Sequence, residues 1–369
     1  MLTTALWKYT VNVLHLDEQA SWRGGEQQAS WLMQGLAARG HRVFLAAPPD
    51  TPFYRHDHGG IAITRIPAPF RHELDLHTVR LLSRAMHEHA IDILHAHTAH
   101  AHSLACLVRM WARRGKVVVS RRVSYMPRRH WLNRMKYHCP DLFLSVSRGV
   151  DNVLERYGIP SAKRRVVHSA VSLERITAEP LPRILFGVPD SAVLLVSAGA
   201  LVPQKDFETL LKAVRLLVDE NMPVFLLVAG GGPLHNALEA LRAQLNLDTY
   251  TRLLGHRDDA PRLIATADIY VSSSRSEGLG TSILEALGMG KPVVATDVGG
   301  VNEMVLHHET GLCVPPENPQ ALAEAIRWII THPAEAARYG QRGGEHVRAH
   351  FTVDRMVEQT LAAYEALLG

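Results

Sequence analysis

Short apolar runs of strand length alternate with helix-length stretches along this chain, and that alternation leaves few folds open. A strand followed by a helix and another strand implies a crossover, and repeated crossovers give a parallel sheet with helices on both faces. Val11 to Leu16 reads as the first strand. Arg23-Gly24-Gly25-Glu26 opens a helix that Gly40 ends, and Arg42 to Ala47 follows as a buried strand. The rhythm continues with a short strand near Ile61 to Ile66 and a helix from Leu76 to Glu88. Then come the strand Ile91 to His95, a helix to about Arg113, Lys116 to Ser120, a helix near Trp131, Leu142 to Val146, a helix from Arg148 to Tyr157 and Arg165 to His168.

Pro180, Pro182 and Pro189 interrupt this pattern, which places a linker over residues 173–190 between a first domain, 1–172, and a second, 191–352. In the second, Ala192 to Ser197, Val224 to Ala229, Thr251 to Leu254, Ile269 to Ser272 and Pro292 to Ala295 read as strands with helices between them. The tail is helical from Pro319 to Ile330, near 334 to 348, and over Val353 to Leu368. The expectation is an α/β chain with two Rossmann-like, doubly wound parallel sheets. Such sheets bind ligands at the C-terminal ends of their strands, so the chemistry is expected in a cleft between the domains.

Composition narrows the class further. The 369 residues are 47% hydrophobic, ordinary for a folded protein and enough for two cores. Cys106, Cys139 and Cys313 form no C-x-x-C pair, which argues against a disulfide framework and a structural zinc site and suits a reducing cytoplasm. The N-terminal stretch, with Lys8, Asp17 and Glu18, has no sustained apolar region of the secretory kind, and no run of residues is apolar enough to span a membrane. Charge is uneven: the first 180 residues hold 25 Lys and Arg against 14 Asp and Glu, the remainder 15 against 22. An acidic second half argues against a nucleic-acid coat. The basic residues concentrate from Arg121 to Lys136, where Arg121, Arg122, Arg128, Arg129 and Arg134 mix with Tyr125, Met126, Trp131, Leu132 and Met135. That segment reads either as a solvated basic loop and helix or as a contact for phosphate or an anionic membrane surface.

The most informative stretch is Ser274 to Ala286. An apolar strand stops at small polar residues, a loop with Gly278 and Gly280 follows, and a helix begins, with Glu277 and Glu285 eight positions apart. Backbone N–H groups in such a loop and helix start suit a phosphate. Glu285 falls one turn beyond Thr281 on the same face, pointing toward whatever the phosphate carries. Gly24-Gly25 marks a turn or a close ligand approach, but it is not G-x-G-x-x-G, which counts against a dinucleotide site. His95 and His97 close a strand, with His100 and His102 after them; no carboxylate or thiol completes a metal shell, and the preferred reading is an imidazole that meets a sugar hydroxyl or moves a proton. Lys205 after Gly199, Gly230-Gly231-Gly232-Pro233 and Gly255-His256-Arg257 each follow a strand, where they would line one crevice.

These elements, taken in order with Ser169-Ala170-Val171, Gly290-Lys291-Pro292-Val293 and Gly299-Gly300, resemble the retaining glycosyltransferases of family 4 over nearly the whole chain. The Glu-x7-Glu segment is the specific part. The resemblance implies the GT-B fold, with the first domain taking the acceptor, the second a nucleotide-diphosphate sugar, and the helix 353–369 packing back on the first domain. It implies that Glu285 accepts the ribose hydroxyls and that Glu277 and His97 act at the donor sugar. Lys205 and the backbone of Leu279, Gly280, Thr281 and Ser282 would hold the diphosphate, with Gly230, Gly231 and Arg257 also in the donor site. Gly24, Gly25, Arg121 and Arg122 would form the first-domain loop site, and Arg128, Arg129 and Trp131 the membrane or acceptor contact.

The expected activity is metal-independent hexosyl transfer with retention, requiring no cofactor, from a UDP-sugar by preference to a lipid-linked or oligosaccharide acceptor. Lipopolysaccharide, capsule or another bacterial cell-surface glycan would be the product, made in the cytoplasm or peripherally at the inner membrane. Ala200 stands where the family commonly has an arginine, and Ser172 where it has an aspartate. Arg275, Arg257, Arg121 or Arg122 are the candidates to replace that cation. The alternatives are a GT-B nucleotide-sugar epimerase or phosphorylase, or an inactive sugar-nucleotide-binding partner.

Overall fold

The computed structural model describes residues 10–369; Lys8 lies outside them. Two compact units divide the chain. One holds the chain up to Val146 with Val150–Ser169 and Val353–Gly369, and the other holds Ser147–Gly149 and Ala170–Thr352.

The first unit is built on seven parallel strands: β1 (Asn12–Leu16), β2 (Arg42–Ala47), β3 (Ile63–Pro67), β4 (Ile93–Ala96), β5 (Lys116–Arg121), β6 (Leu142–Ser145) and β7 (Arg164–Val166). Their order is β3-β2-β1-β4-β5-β6-β7. The order reverses beside β1, so β1 and β4 diverge in their connections and leave a crevice at their C-terminal ends. Their register sets His15 against His95. Because side chains alternate along a strand, His97, two residues on, rises on the same side as His95.

Leu14, Phe44, Leu94, Val117 and Phe143 form one buried core with the helices Leu76–Glu88 and Ala99–Ala112. Both helices start at side-chain caps, Asp75 accepting from His77 and Thr78 and Thr98 accepting from Ala101. The chain's last helix, Val353–Leu368, belongs to this unit. It lies so close to the helix Gly24–Ala38 that a Cβ on Gly35 would stand 2.3 Å from a Val357 methyl. An Arg39–Asp354 ion pair at 3.0 Å joins the same helices at the surface.

The second unit carries six parallel strands: β8 (Val193–Ala198), β9 (Val224–Ala229), β10 (Thr251–Leu253), β11 (Ile269–Ser272), β12 (Val293–Thr296) and β13 (Leu312–Val314). They are ordered β10-β9-β8-β11-β12-β13, reversing beside β8. β13 is absent from the sequence reading. The stretch expected as a linker folds instead as part of this unit. It holds two short helices, Leu173–Ile176, which starts at Ser172, and Arg183–Phe186, which starts at Pro182. Leu181 N–H donates to Thr266 Oγ1 at 2.8 Å, and Arg183 pairs with Asp268 at 2.5 Å.

Candidate functional site

In the second unit, the loop after β11 and the loop after β8 meet at the strand-order reversal. Lys205 Nζ lies 2.5 Å from Glu277 Oε1, and Ser274 Oγ donates to that same oxygen at 2.7 Å. Two donors on one oxygen leave the other available, and a carboxylate has about four acceptor sites. Glycines let the surrounding loops close up. A Cβ on Gly299, whose φ is +60°, would fall 1.8 Å from the Glu277 carbonyl, and one on Gly230 would fall 1.8 Å from the Gly199 carbonyl. Gly231 packs beside His256, where a Cβ would sit at 3.4 Å.

Glu285 sits one turn into the helix Thr281–Gly288 and is 5% exposed. Burial pushes its carboxyl up from the usual range, and Arg175, whose Nε is 2.6 Å from Oε1, pulls it back. The helix starts at Gly280, which has no side chain to cap it, so the amides of Thr281 and Ser282 point outward from the helix end without a side-chain acceptor. The Ser282 hydroxyl is held at 3.1 Å by the Ala198 carbonyl, and Leu279 is buried beneath the loop. One lysine, one uncapped helix start and two carboxylates are thus gathered on one loop system, a set able to hold an anion and the hydroxyls attached to it.

The arginines considered as substitutes at position 200 are already engaged. Arg257 is bidentate to Asp259 at 2.7 and 2.6 Å and lies over the Phe186 ring. Arg275 pairs with Asp206 at 2.9 Å and Glu317 at 3.2 Å. In the first unit, Arg121 donates to Tyr137 Oη and to the Tyr125 carbonyl, which fixes the start of the basic segment. Ala200 itself is exposed.

The first unit's crevice has a different character. Arg122 donates to His97 Nδ1 at 3.0 Å, which assigns the proton of a neutral His97 to Nε2; that nitrogen is 2.9 Å from His15 Nδ1. His15 Nε2 is then the protonated nitrogen of His15, and it is buried with no partner among the described residues. His95 lies between Ser120 Oγ at 2.8 Å and Tyr364 Oη at 2.6 Å, the latter from the last helix. All three imidazoles are held neutral: burial, then the neighbouring histidines and Arg122, lower them, His15 to about 3. One ring nitrogen from each lies within 4.8 Å of the others, the spacing of a metal cluster. Their hydrogen bonds and the adjacent Arg122 cation already occupy that arrangement.

Gly24 and Gly25 begin the helix beside this group, and a Cβ on Gly25 would touch Arg122 Cδ at 3.5 Å. Asp17, just after β1, is 1% exposed, and burial followed by the charge of Glu26 raises its carboxyl to about 8. Away from this crevice, Trp131 is 68% exposed, with Leu132, Met135, Tyr125 and Met126 also exposed. Arg128 is exposed and Arg129 donates to the Arg156 carbonyl. No carboxylate side chain occurs in the sequence between Asp92 and Asp141.

Asp17, His15, Ser274 and Arg175 are the contributors that the sequence reading missed. Asp17 and Ser274 had local signals, a carboxylate at the C-terminal end of a strand and a hydroxyl three residues before Glu277; His15 and Arg175 depend on long-range packing.

Comparison with known proteins gives this geometry a class. Residues 22–175 match the description Glycosyltransferase Family 4, and residues 186–346 match Glycosyl transferases group 1. The chain belongs to the family 4 glycosyltransferases, with the two-sheet GT-B fold. It is 34% identical over 148 residues to the D-rhamnosyltransferase WbpZ of Pseudomonas aeruginosa, covering 38% of this chain and 39% of the relative. To the lipopolysaccharide core biosynthesis glycosyltransferase LpsE of Rhizobium meliloti it is 30% identical, covering 53% of this chain and 56% of the relative. The match thus spans well under two thirds of these relatives' length. Among solved structures, HepE of Anabaena in complex with UDP superposes with a TM-score of 0.83 at 20% identity, over 96% of this chain and all of that one.

Proposed function

We propose that this chain transfers a hexose-type sugar from a nucleotide diphosphate to a cell-surface glycan or its lipid-linked precursor, with retention and without a metal. The observation that carries the reading is the convergence of Lys205, the uncapped helix start at Thr281 and the buried Glu277 and Glu285 on one loop system. A diphosphate fits the lysine and the amides, and hydroxyls fit the two carboxylates. The relatives named above as glycosyltransferases, and the UDP in the HepE complex, support a nucleotide-sugar donor and favour UDP.

In this mechanism the bond from the anomeric carbon to the departing phosphate oxygen breaks, and its electron pair stays on the diphosphate. Lys205 and the amides of Leu279 to Ser282 stabilise that growing charge, the kind of preorganised help that dominates many rate enhancements. The acceptor oxygen bonds to the anomeric carbon on the same face and its proton passes to the leaving phosphate. Glu277, through its free oxygen, orients the sugar. Lys205 must relax its hold on Glu277 to meet the phosphate, so donor binding rearranges this pair. In the first unit, Gly24, Gly25, Arg121 and Arg122 form the proposed acceptor side.

Incubation with UDP-, GDP- and ADP-sugars and a cell-envelope extract should give donor-dependent nucleotide release. No release from any donor overturns the reading.

No helix among the described residues is long and apolar enough to cross a membrane. The exposed segment around Trp131, basic and free of carboxylates, is proposed to rest on an anionic membrane surface at the cytoplasmic face, with Trp131, Leu132 and Met135 inserted and Arg128 and Arg129 at the headgroups. Arg128→Glu with Arg129→Glu should weaken cosedimentation with phosphatidylglycerol vesicles about tenfold or more. Equal binding by the wild type to phosphatidylcholine vesicles would remove the electrostatic argument.

A further inference from the structure

Glu285 is a carboxylate almost sealed from solvent, and its partner comes from far away in sequence. Arg175 stands on the short helix Leu173–Ile176, which is packed hard against the helix Thr281–Gly288: a Cβ on Gly288 would fall 2.5 Å from an Ile176 methyl. That contact fixes the distance from which the guanidinium reaches in. Arg175 Nε meets Oε1 at 2.6 Å, and Oε2 has no hydrogen bond among the described residues. The guanidinium side chain is 32% exposed and the carboxylate 7%, so one end of the pair is wet and the other dry.

Other charged groups on the surrounding elements are directed elsewhere. Arg348 donates to the Gly288 carbonyl at 3.2 Å, Arg262 to the Glu179 carbonyl at 3.2 Å, and Arg183 to Asp268. Tyr270 Oη is held by Ala198, and Lys205 pairs with Glu277. Lys291, half buried, feels Asp268 and Arg183 rather than Glu285. A single cation therefore offsets the burial of this carboxylate.

We propose that Arg175 is a positioning residue for the donor's ribose: by gripping one oxygen of Glu285 it fixes the carboxylate plane and presents the other oxygen to the vicinal diol of a nucleoside diphosphate. The inference rests on the donor reading of the site and adds to it a residue outside the Glu-x7-Glu stretch. An unpaired buried carboxylate neutralises itself, and a protonated one loses acceptor capacity. Without Arg175, recognition of the diol therefore fails as pH falls.

The test is calorimetric titration of the full chain at pH 6, 7 and 8. The probes are whichever of UDP, GDP and ADP binds the wild type, and its 2′-deoxy analogue. The wild type should prefer the ribose form about tenfold, since a hydrogen bond to a charged group is stronger than a neutral one, and the preference should be nearly level across this range. Arg175→Met should lose most of it at pH 6 and regain part by pH 8, with Arg175→Lys between the two. A wild-type preference retained by Arg175→Met at every pH overturns the proposal. So does a wild type that binds the nucleotide without distinguishing its deoxy analogue, an outcome that needs no variant to fold and leaves the donor reading intact. Failure of the wild type to bind any of the three nucleotides removes the donor reading itself.

Discussion

The two strand-order reversals of this molecule solve opposite electrostatic problems. Beside β8, two buried carboxylates are each given one cation, Lys205 for Glu277 and Arg175 for Glu285, and each keeps acceptor capacity in reserve. Beside β1, three imidazoles and an arginine are buried together, and most of their nitrogens are held within the unit: Arg122 to His97, His97 to His15, His95 to Ser120 and Tyr364, while His15 Nε2 and Arg122 Nε have no partner among the described residues. Burial drives the carboxyl of Glu285 up and Arg175 opposes it; burial drives the imidazoles down and no anion opposes it. The first arrangement is open to a ligand because its charges are only half matched within the protein. In the second, both nitrogens of His95 and of His97 are occupied, and a ligand has to displace a partner to reach either ring.

That contrast is most exposed at Glu277 and His97. Glu277→Gln keeps the size of the side chain, removes the charge that Lys205 and Ser274 converge on, and weakens any hydroxyl held by the free oxygen. Hydrogen bonds to charged groups are worth roughly 1.5–3 kcal/mol each, and 1.36 kcal/mol is a factor of ten. The expected loss in kcat/KM is about a hundredfold. His97→Asn, at a residue whose two nitrogens are both occupied within its own unit, should cost no more than about tenfold and act chiefly on stability, which a melting curve separates from activity. Equal losses for the two variants, with the fold of each intact, would show that His97 trades an internal partner for substrate and break the comparison.

The two regions also differ in how far the sequence reveals them. The Glu-x7-Glu stretch is local: a strand end, glycines and a helix start follow one another in thirteen residues, so period and punctuation are enough to place the carboxylates. The alternation of strands and helices, likewise local, yields both sheets apart from β13. His15 could not be paired with His97 in this way, because their meeting depends on the register of β1 against β4, which comes from packing between segments about eighty residues apart. Arg175 and Glu285 are 110 residues apart and meet through a helix of only four residues. The sequence shows which side chains can carry charge, while long-range packing decides which of those charges are cancelled. Arg275 and Arg121, plausible phosphate ligands by position, are committed to partners that the fold supplies, and Arg257 is committed to Asp259, two residues on.

Asp17 gives the comparison a smaller but cleaner test, since it is a carboxylate placed in the histidine-lined unit rather than beside a dedicated cation. Its Oδ1 accepts from Gln19 N–H at 2.9 Å, and its Oδ2 is buried with no partner among the described residues. Burial first, then the charge of Glu26, raise the carboxyl to about 8, against the opposing pull of Arg122. The unfolded chain releases this proton near pH 4, roughly the ordinary aspartate value of 3.9. From there to about pH 8 the folded state holds a proton that the unfolded state has lost, so the group's contribution to stability, complete below pH 4, declines as pH rises. Asp17→Asn is neutral at every pH and cannot show that decline. Its melting temperature should therefore gain on the wild type by about ten degrees between pH 5 and pH 8, since each pH unit contributes about 1.4 kcal/mol and 1 kcal/mol corresponds to about 2–4 °C for a unit of this size. A difference that stays constant over that range would mean that Arg122 keeps Asp17 ionised after all, and the two reversals would then each hold a buried carboxylate against an arginine.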